Sequence, residues 1–370
     1  MRIGIATVSE AKRMGGIATY IRELLPHFAL QATQHEFFVF RNTEYALKIP
    51  KADNMHDITF KFNINSPSIR RLYEQLVFPF LIKKYNLDLL HSIDNVIPFL
   101  YSGNQVVTIH DVTLFNTPDR FTKLKTLYLK NFVRRTVKKV DHIITISSST
   151  KSDLIKYTNA DESKITVIYE SANHNPPCSA TNLQTIYKVK KPYFIFIGTL
   201  EPGKNLMRMM RAFAQARKEA NLPHKFVIVG GTGWKFEGIL EEAKSLNLCD
   251  DIIFTKYVPL EDLTLLLKES FALLFASLYE GFGLPMVEAF EAGIPVLTSN
   301  ISAMPEVAGN AALLVDPYDV NAIKEGIIRL ARDADLRKSL IARGKERRKM
   351  FSWSQCAFET IKVYESFINM

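Results

Sequence analysis

The chain of 370 residues is 47% hydrophobic and 23% charged, the balance of a globular protein with two domains and sizeable cores. No apolar run approaches the roughly 18–20 residues that span a bilayer. Three dispersed cysteines, Cys178, Cys249 and Cys356, make neither a metal-ligand spacing nor a disulfide framework and read as reduced cytosolic thiols. The formal net charge of +9 is uneven, since residues 1–175 hold 23 Lys and Arg against 16 Asp and Glu and the remainder 24 against 22.

Residues 2–8 read as a buried strand, so the N-terminus is not expected to be a signal peptide. A loop ending in Gly15-Gly16 follows, then a helix over 17–29. Residues 36–41 and 58–62 are short strands, and the spacing predicts a helix over 69–84. Strands follow at 89–93 and 106–109. Between Arg120 and Lys139 stand eight Lys and Arg and no acid. Phe121, Leu124, Tyr128, Phe132 and Val133 recur there at helical spacing. Such a helix either lies on an anionic membrane surface or packs on its own domain with a solvated basic face. Strands at 143–147 and 165–169 close this half.

Residues 171–190, with Ser171-Ala172-Asn173-His174-Asn175-Pro176-Pro177, read as a linker. The alternation then restarts, with strands at 193–197, 226–229, 252–255, 271–276, 296–298 and 312–315. Helices are expected at 320–332, 335–348 and 354–368. Short apolar strands alternating with helices indicate two doubly wound parallel sheets. The expected domains are 1–175 and 188–350, with a cleft between them. In such sheets ligands sit beyond the carboxyl ends of the strands, so the chemistry is sought there.

Gly15-Gly16 offers close backbone approach or a phosphate cradle, as it also offers an ordinary turn. No G-x-G-x-x-G stands there, which argues against a dinucleotide-binding domain. His110-Asp111 ends a strand; the imidazole could contact a sugar hydroxyl or move a proton, or be a structural histidine. Gly198-Thr199-Leu200-Glu201-Pro202-Gly203-Lys204-Asn205 opens a helix and sets Lys204 at its mouth, a good place for a diphosphate. Gly230-Gly231-Thr232-Gly233 follows the next strand. The densest stretch is Ser277 to Glu288. There Glu280 and Glu288 flank a Gly-Phe-Gly-Leu-Pro turn that exposes amides at a helix N-terminus, with Pro285 at the start and Gly293 at the stop.

Together these residues resemble the retaining, sugar-nucleotide-dependent glycosyltransferases of the GT-B fold, family four. Glu280-Gly281-Phe282-Gly283-Leu284-Pro285-x-x-Glu288 is similar to that family's E-x7-E signature. Gly15-Gly16-Ile17, Thr108-Ile109-His110-Asp111, Ile144-Thr145-Ile146-Ser147, Gly198-Thr199-Leu200-Glu201-Pro202-x-Lys204-Asn205 and Met304-Pro305-Glu306-Val307-Ala308-Gly309 extend the similarity over nearly the whole chain. The resemblance implies a C-terminal domain for the nucleotide sugar and an N-terminal domain for most of the acceptor, with the last helix, in 352–370, crossing back onto the first domain. It implies Lys204 on the diphosphate and the amides of Phe282, Gly283 and Leu284 on sugar hydroxyls and phosphate oxygens. Glu288 would take the ribose, Glu280 and His110 the transferred sugar, and Gly16 would lie near the phosphates or acceptor.

It implies no cofactor, no metal and no nucleic acid. The implied activity is transfer of a hexose, with GDP-mannose as first donor, to a glycan or lipid-linked acceptor in surface polysaccharide assembly. The implied place is the cytoplasm, peripheral to the inner membrane face. Two departures stand out. Relatives carry Arg-Lys where this chain has Gly203-Lys204, so a cation is missing; Lys12, Arg13 and Arg208 are the candidates to replace it. Tyr169-Glu170-Ser171-Ala172 replaces Tyr-Asn-Gly-Val and puts only the hinge in doubt. The rival readings are a catalytically silent GT-B binding partner and an epimerase or phosphorylase on the same fold.

Overall fold

The structure, a computed structural model, describes residues 1–7, 15–43, 47–61, 67–116, 123–172 and 182–368. Lys12, Arg13, Arg120, Phe121, Cys178 and the linker residues 173–181 lie outside the described residues. The chain divides into two compact units, Met1–Ser171 with Ser352–Met370, and Ala172–Phe351.

In the first unit the strands are β1 (Arg2–Ala6), β2 (Glu36–Asn42), β3 (Met55–Phe60), β4 (Leu89–Ser92), β5 (Asn104–Ile109), β6 (His142–Thr145) and β7 (Ile165–Val167). The helices are α1 (Gly16–Gln31), α2 (Pro67–Leu76), α3 (Phe78–Lys83), α4 (Thr113–Asn116), α5 (Lys123–Lys139) and α6 (Ser148–Thr158). All strands pair in parallel, in the order β3-β2-β1-β4-β5-β6-β7. Strand interiors such as Ile3, Ile5, Val106 and Ile144 are fully buried, as expected of a parallel sheet covered on both faces.

One expected helix is two. The stretch 69–84 breaks at Val77 into α2 and α3, because Pro79 at the start of α3 has no N–H to continue the ladder. The apolar residues of the basic helix also part company. Phe132 is buried whereas Leu124 and Tyr128 are exposed, so α5 packs one stripe inward and turns other apolar residues outward.

In the second unit the strands are β8 (Tyr193–Ile197), β9 (Lys225–Val229), β10 (Ile252–Lys256), β11 (Ala272–Phe275), β12 (Val296–Ser299) and β13 (Leu313–Val315). They form a parallel sheet in the order β10-β9-β8-β11-β12-β13. Its helices are α7 (Leu183–Tyr187), α8 (Leu206–Ala220), α9 (Glu237–Ser245), α10 (Leu260–Glu269), α11 (Leu284–Ala292), α12 (Met304–Ala308), α13 (Val320–Arg332) and α14 (Ala334–Arg348). Asp319 and Asp333 cap α13 and α14 by accepting from Asn321 N and Leu336 N, each at 2.8 Å. The last helix, α15 (Trp353–Glu365), belongs to the first unit, where Trp353, Cys356, Ile361 and Tyr364 enter the core around α1 and β1.

Each sheet has one point where strand order reverses: beside β1, which lies between β2 and β4, and beside β8, which lies between β9 and β11. Doubly wound sheets bind ligands outside the carboxyl ends of strands at such points.

Candidate functional site

In the second unit the loops after β8 and β11 converge at the reversal point. The first runs through Gly198 to a short 3-10 turn, Pro202–Lys204, and enters α8 at Asn205. The second carries Glu280 and enters α11 at Leu284. Backbone and side chain join them: Leu278 N donates to Gly203 O at 2.9 Å, and Asn205 Nδ2 donates to Ala276 O at 2.9 Å and Pro317 O at 2.7 Å.

This frame brings Lys204 onto Glu280. Lys204 Nζ donates to both carboxylate oxygens, at 2.7 and 2.9 Å, with both side chains mostly buried. The main chain of Glu280 is fixed as well, because Ser302 Oγ accepts from its N–H at 3.2 Å and donates to its carbonyl at 2.6 Å. Ser302 carries no motif that marks it in the sequence, and only the fold shows its role.

Gly283 caps α11 at φ 97°, a left-handed conformation that disfavours a side chain, and a Cβ there would lie 2.8 Å from Met286 Cε. Pro285 stands in the first turn and no side chain caps the helix. First-turn amides of a helix have no acceptor within it, so this mouth suits an anion. The Phe282 ring is buried against Phe351 at 5.5 Å, edge to face, and anchors the turn whose amides open the helix. Glu288 lies in the second turn of α11 and is buried.

Gly203 has open space where its Cβ would be, with Glu201 Oε1 the nearest atom at 3.8 Å. Of the candidate replacement cations, Arg208 donates to Asn205 Oδ1 at 3.0 Å and stacks over Tyr318 at 5.6 Å. Lys12 and Arg13 lie outside the described residues. Among those residues, no group of three His, Cys, Asp or Glu side chains could hold a metal ion.

In the first unit Gly16 is the first residue of α1 and is exposed. His110 follows β5 and is buried; its Nδ1 meets Glu170 Oε1 at 3.0 Å and its Nε2 meets Ile93 O at 2.9 Å. A carboxylate and a carbonyl oxygen facing the two ring nitrogens favour the charged ring, in which both nitrogens donate. Burial alone would lower the His110 pKa, but the Glu170 hydrogen bond and charge, the Ile93 carbonyl and Asp94 outweigh it and raise the value. Glu170 is therefore more than a residue of the hinge. Its pairing with His110, sixty positions away, left no mark in the sequence beyond the departure at that segment.

Residues 14–175 match Glycosyltransferase Family 4, and residues 183–347 match Glycosyl transferases group 1. The chain is 29% identical to O-antigen chain mannosyltransferase B of Escherichia coli, over 99% of this chain and 100% of that one. It is also 29% identical to the O-antigen chain mannosyltransferase RfbU of Salmonella typhimurium, over 84% of this chain and 83% of that one. Sucrose-phosphate synthase from Thermosynechococcus elongatus shares the fold with a TM-score of 0.81 at 18% identity, covering 100% of this chain and 99% of that one. Matched from residue 14 to residue 347 and aligned end to end with a sugar-transferring relative, the chain belongs to the family 4, group 1 glycosyltransferases of the GT-B fold.

Proposed function

We propose that this glycosyltransferase moves a mannosyl group, with retention, from GDP-mannose to a glycan or lipid-linked acceptor in surface polysaccharide assembly. Its working place would be the cytoplasmic face of an anionic membrane, to which the basic side of α5 would be drawn. The full-length correspondence with an O-antigen mannosyltransferase supports the sugar and the process. The Lys204–Glu280 pair at the mouth of α11, beside the strand-order reversal, is the observation that carries the donor site.

The leaving nucleoside diphosphate gains charge as the C1–O bond to phosphate breaks. Lys204, released from Glu280, would meet that charge together with the amides of Phe282, Gly283 and Leu284. Each preorganised donor of this kind contributes roughly 3 kcal/mol. Glu280, freed of its cation, would accept from hydroxyls of the transferred sugar, and Glu288 would accept from the ribose. The acceptor oxygen would bond to C1 on the face the phosphate leaves, and its proton would pass to the departing phosphate oxygen. In the first unit Gly16 lets a ligand approach the backbone. His110, whose charged form Glu170 favours, would offer an N–H to a sugar hydroxyl in place of the Ile93 carbonyl.

The test is a donor screen that measures released nucleoside diphosphate, followed by two variants. Glu280→Gln should lower kcat about a hundredfold or more with little change in donor Kd. Glu288→Ala should raise donor Kd about tenfold or more through loss of charge-assisted hydrogen bonds. Nucleotide binding without transfer or hydrolysis of any sugar nucleotide would sink the reading, and so would small, equal effects of both variants.

A further inference from the structure

The first unit has its own strand-order reversal, beside β1, and a small cavity lies there. It is lined by Ala6 at the carboxyl end of β1, Ser92 at that of β4, Glu74 from α2 and Phe78 from α3. Asp94 and Ile97 complete it from the loop after β4. The space is about 20 Å³, room for one water or one hydroxyl group. Glu74 and Ser92 are only 6% and 3% exposed. Among the described residues the Ser92 hydroxyl makes no hydrogen bond. A buried hydroxyl without a partner costs stability, and a ligand's hydroxyl placed in the cavity would recover that cost.

The surroundings are fixed and lead to His110. Gln75 Nε2 donates to Ile97 O at 2.8 Å and its Oε1 accepts from Phe99 N at 3.0 Å, which pins α2 to the loop. Asp94 Oδ1 accepts from Asn95 N at 2.7 Å, and Asn95 Nδ2 donates to Asp111 O at 3.4 Å. Ile93, which joins Ser92 to Asp94, gives its carbonyl to His110 Nε2. The cavity thus sits one peptide away from the histidine assigned to the transferred sugar. Two carboxyl groups and a hydroxyl, with no Lys or Arg among the lining residues, suit a hydroxyl that both donates and accepts, and they disfavour a phosphate or a uronate.

We propose that this cavity seats one hydroxyl of the acceptor's terminal sugar, that Ser92 and Glu74 select it, and that this sugar is neutral. The inference rests on the proposed function and deepens it by naming the acceptor's chemical class. A resident water is the other occupant of this size, and it would leave sugar recognition indifferent to Ser92.

The test is transfer from GDP-mannose to the methyl α-glycosides of mannose, glucose, galactose and glucuronic acid, and to the monodeoxy forms of the best of them. Binding of the same glycosides to the full chain is followed in parallel by saturation-transfer NMR. A neutral glycoside should bind about tenfold or more tighter than the glucuronide. Loss of one particular hydroxyl should weaken it about tenfold. Ser92→Ala should raise the glycoside KM about tenfold with kcat and GDP Kd unchanged, and should abolish the penalty for that one deoxy position. Glu74→Gln should narrow the gap between glucoside and glucuronide. Should Glu74→Gln not melt cooperatively, Ser92→Ala, which removes a single oxygen, decides the matter. A Ser92→Ala chain with the parent's KM and deoxy profile overturns the proposal, as does preference for the glucuronide or a parent that binds no neutral glycoside; released GDP in those cases leaves the proposed function standing. Glycoside binding as expected in a chain that turns over no sugar nucleotide would sink the proposed function while keeping the cavity as a sugar site.

Discussion

His91 on β4 and His110 just beyond β5 are both buried and titrate in opposite directions. His91 meets Tyr364 Oη at 2.6 Å and Thr108 Oγ1 at 2.8 Å, hydroxyls that suit a neutral ring. Burial, with the charge of His110 beside it, pushes its pKa down to about 3. Unfolding lets it bind a proton near pH 6.5, so its contribution to stability is complete above that value and is lost as pH falls toward 3. His110 has the reverse sign. Its raised pKa gives a contribution that is complete below pH 6.5 and is lost as pH rises through the folded value. The first unit should therefore show a stability maximum near pH 6.5 from this pair. Its only tryptophan is Trp353, so in a Trp234→Phe background urea unfolding can be followed by Trp353 fluorescence. His91→Gln should flatten the acid limb and Glu170→Gln the alkaline limb. Unchanged limbs would mean that other groups set the profile.

Two glycines in the loops of the second unit should answer substitution in opposite ways. Gly230, at φ 152°, sits where a Cβ would lie 1.9 Å from the carbonyl oxygen of Gly198. The loops after β8 and β9 are laced there by Gly198 N to Val229 O, Leu200 N to Gly231 O and Gly233 N to Leu200 O, at 2.9 to 3.0 Å. Gly230→Ala must part them and should destabilise the second unit by about 2–3 kcal/mol. Gly203 has room, and its carbonyl keeps its bond to Leu278 N whatever its side chain. Gly203→Arg should fold like the parent and, by placing a guanidinium beside Lys204, tighten GDP binding about tenfold. Thermal melting and nucleotide titration of the two variants check both outcomes. A destabilised Gly203→Arg, or a Gly230→Ala as stable as the parent, would show that these loops pack differently in solution.

Over the whole molecule, legibility followed the range of the interactions. Short apolar runs such as 193–197 and 296–298 announced their strands because both faces of a parallel sheet are buried. The helices expected from 320, 335 and 354 start where Asp319, Asp333 and Ser352 cap them by local hydrogen bonds, a device the structure adds to the apolar spacing. The candidate site was visible as separate marks, Lys204 in one loop and Glu280 in another; their contact, like that of His110 with Glu170, is tertiary and has no local signature. The outward turn of Leu124 and Tyr128 on α5 was also hidden, since periodicity shows a stripe but not which way it faces.

The last helix tests how far this long-range order matters. Trp353 packs edge to face on Tyr20 at 5.8 Å, Gln31 bonds to Ser354, and Glu365 meets both Gln34 and His35. Tyr364 is fully buried and its hydroxyl holds His91. Tyr364→Phe should cost about 1–3 kcal/mol by leaving a buried ring nitrogen without its partner. Removing residues 352–370 strips Trp353, Cys356, Ile361 and Tyr364 from the core and should abolish cooperative folding of the first unit. Calorimetry of the truncated chain should then show one transition fewer than the full chain, and the transition that remains should still rise with added GDP, because Lys204, the amides of Phe282 to Leu284 and Glu288 all lie in the second unit. Retention of both transitions would make α15 an ornament of the first unit. Loss of the GDP shift would instead place part of the nucleotide site outside residues 172–351.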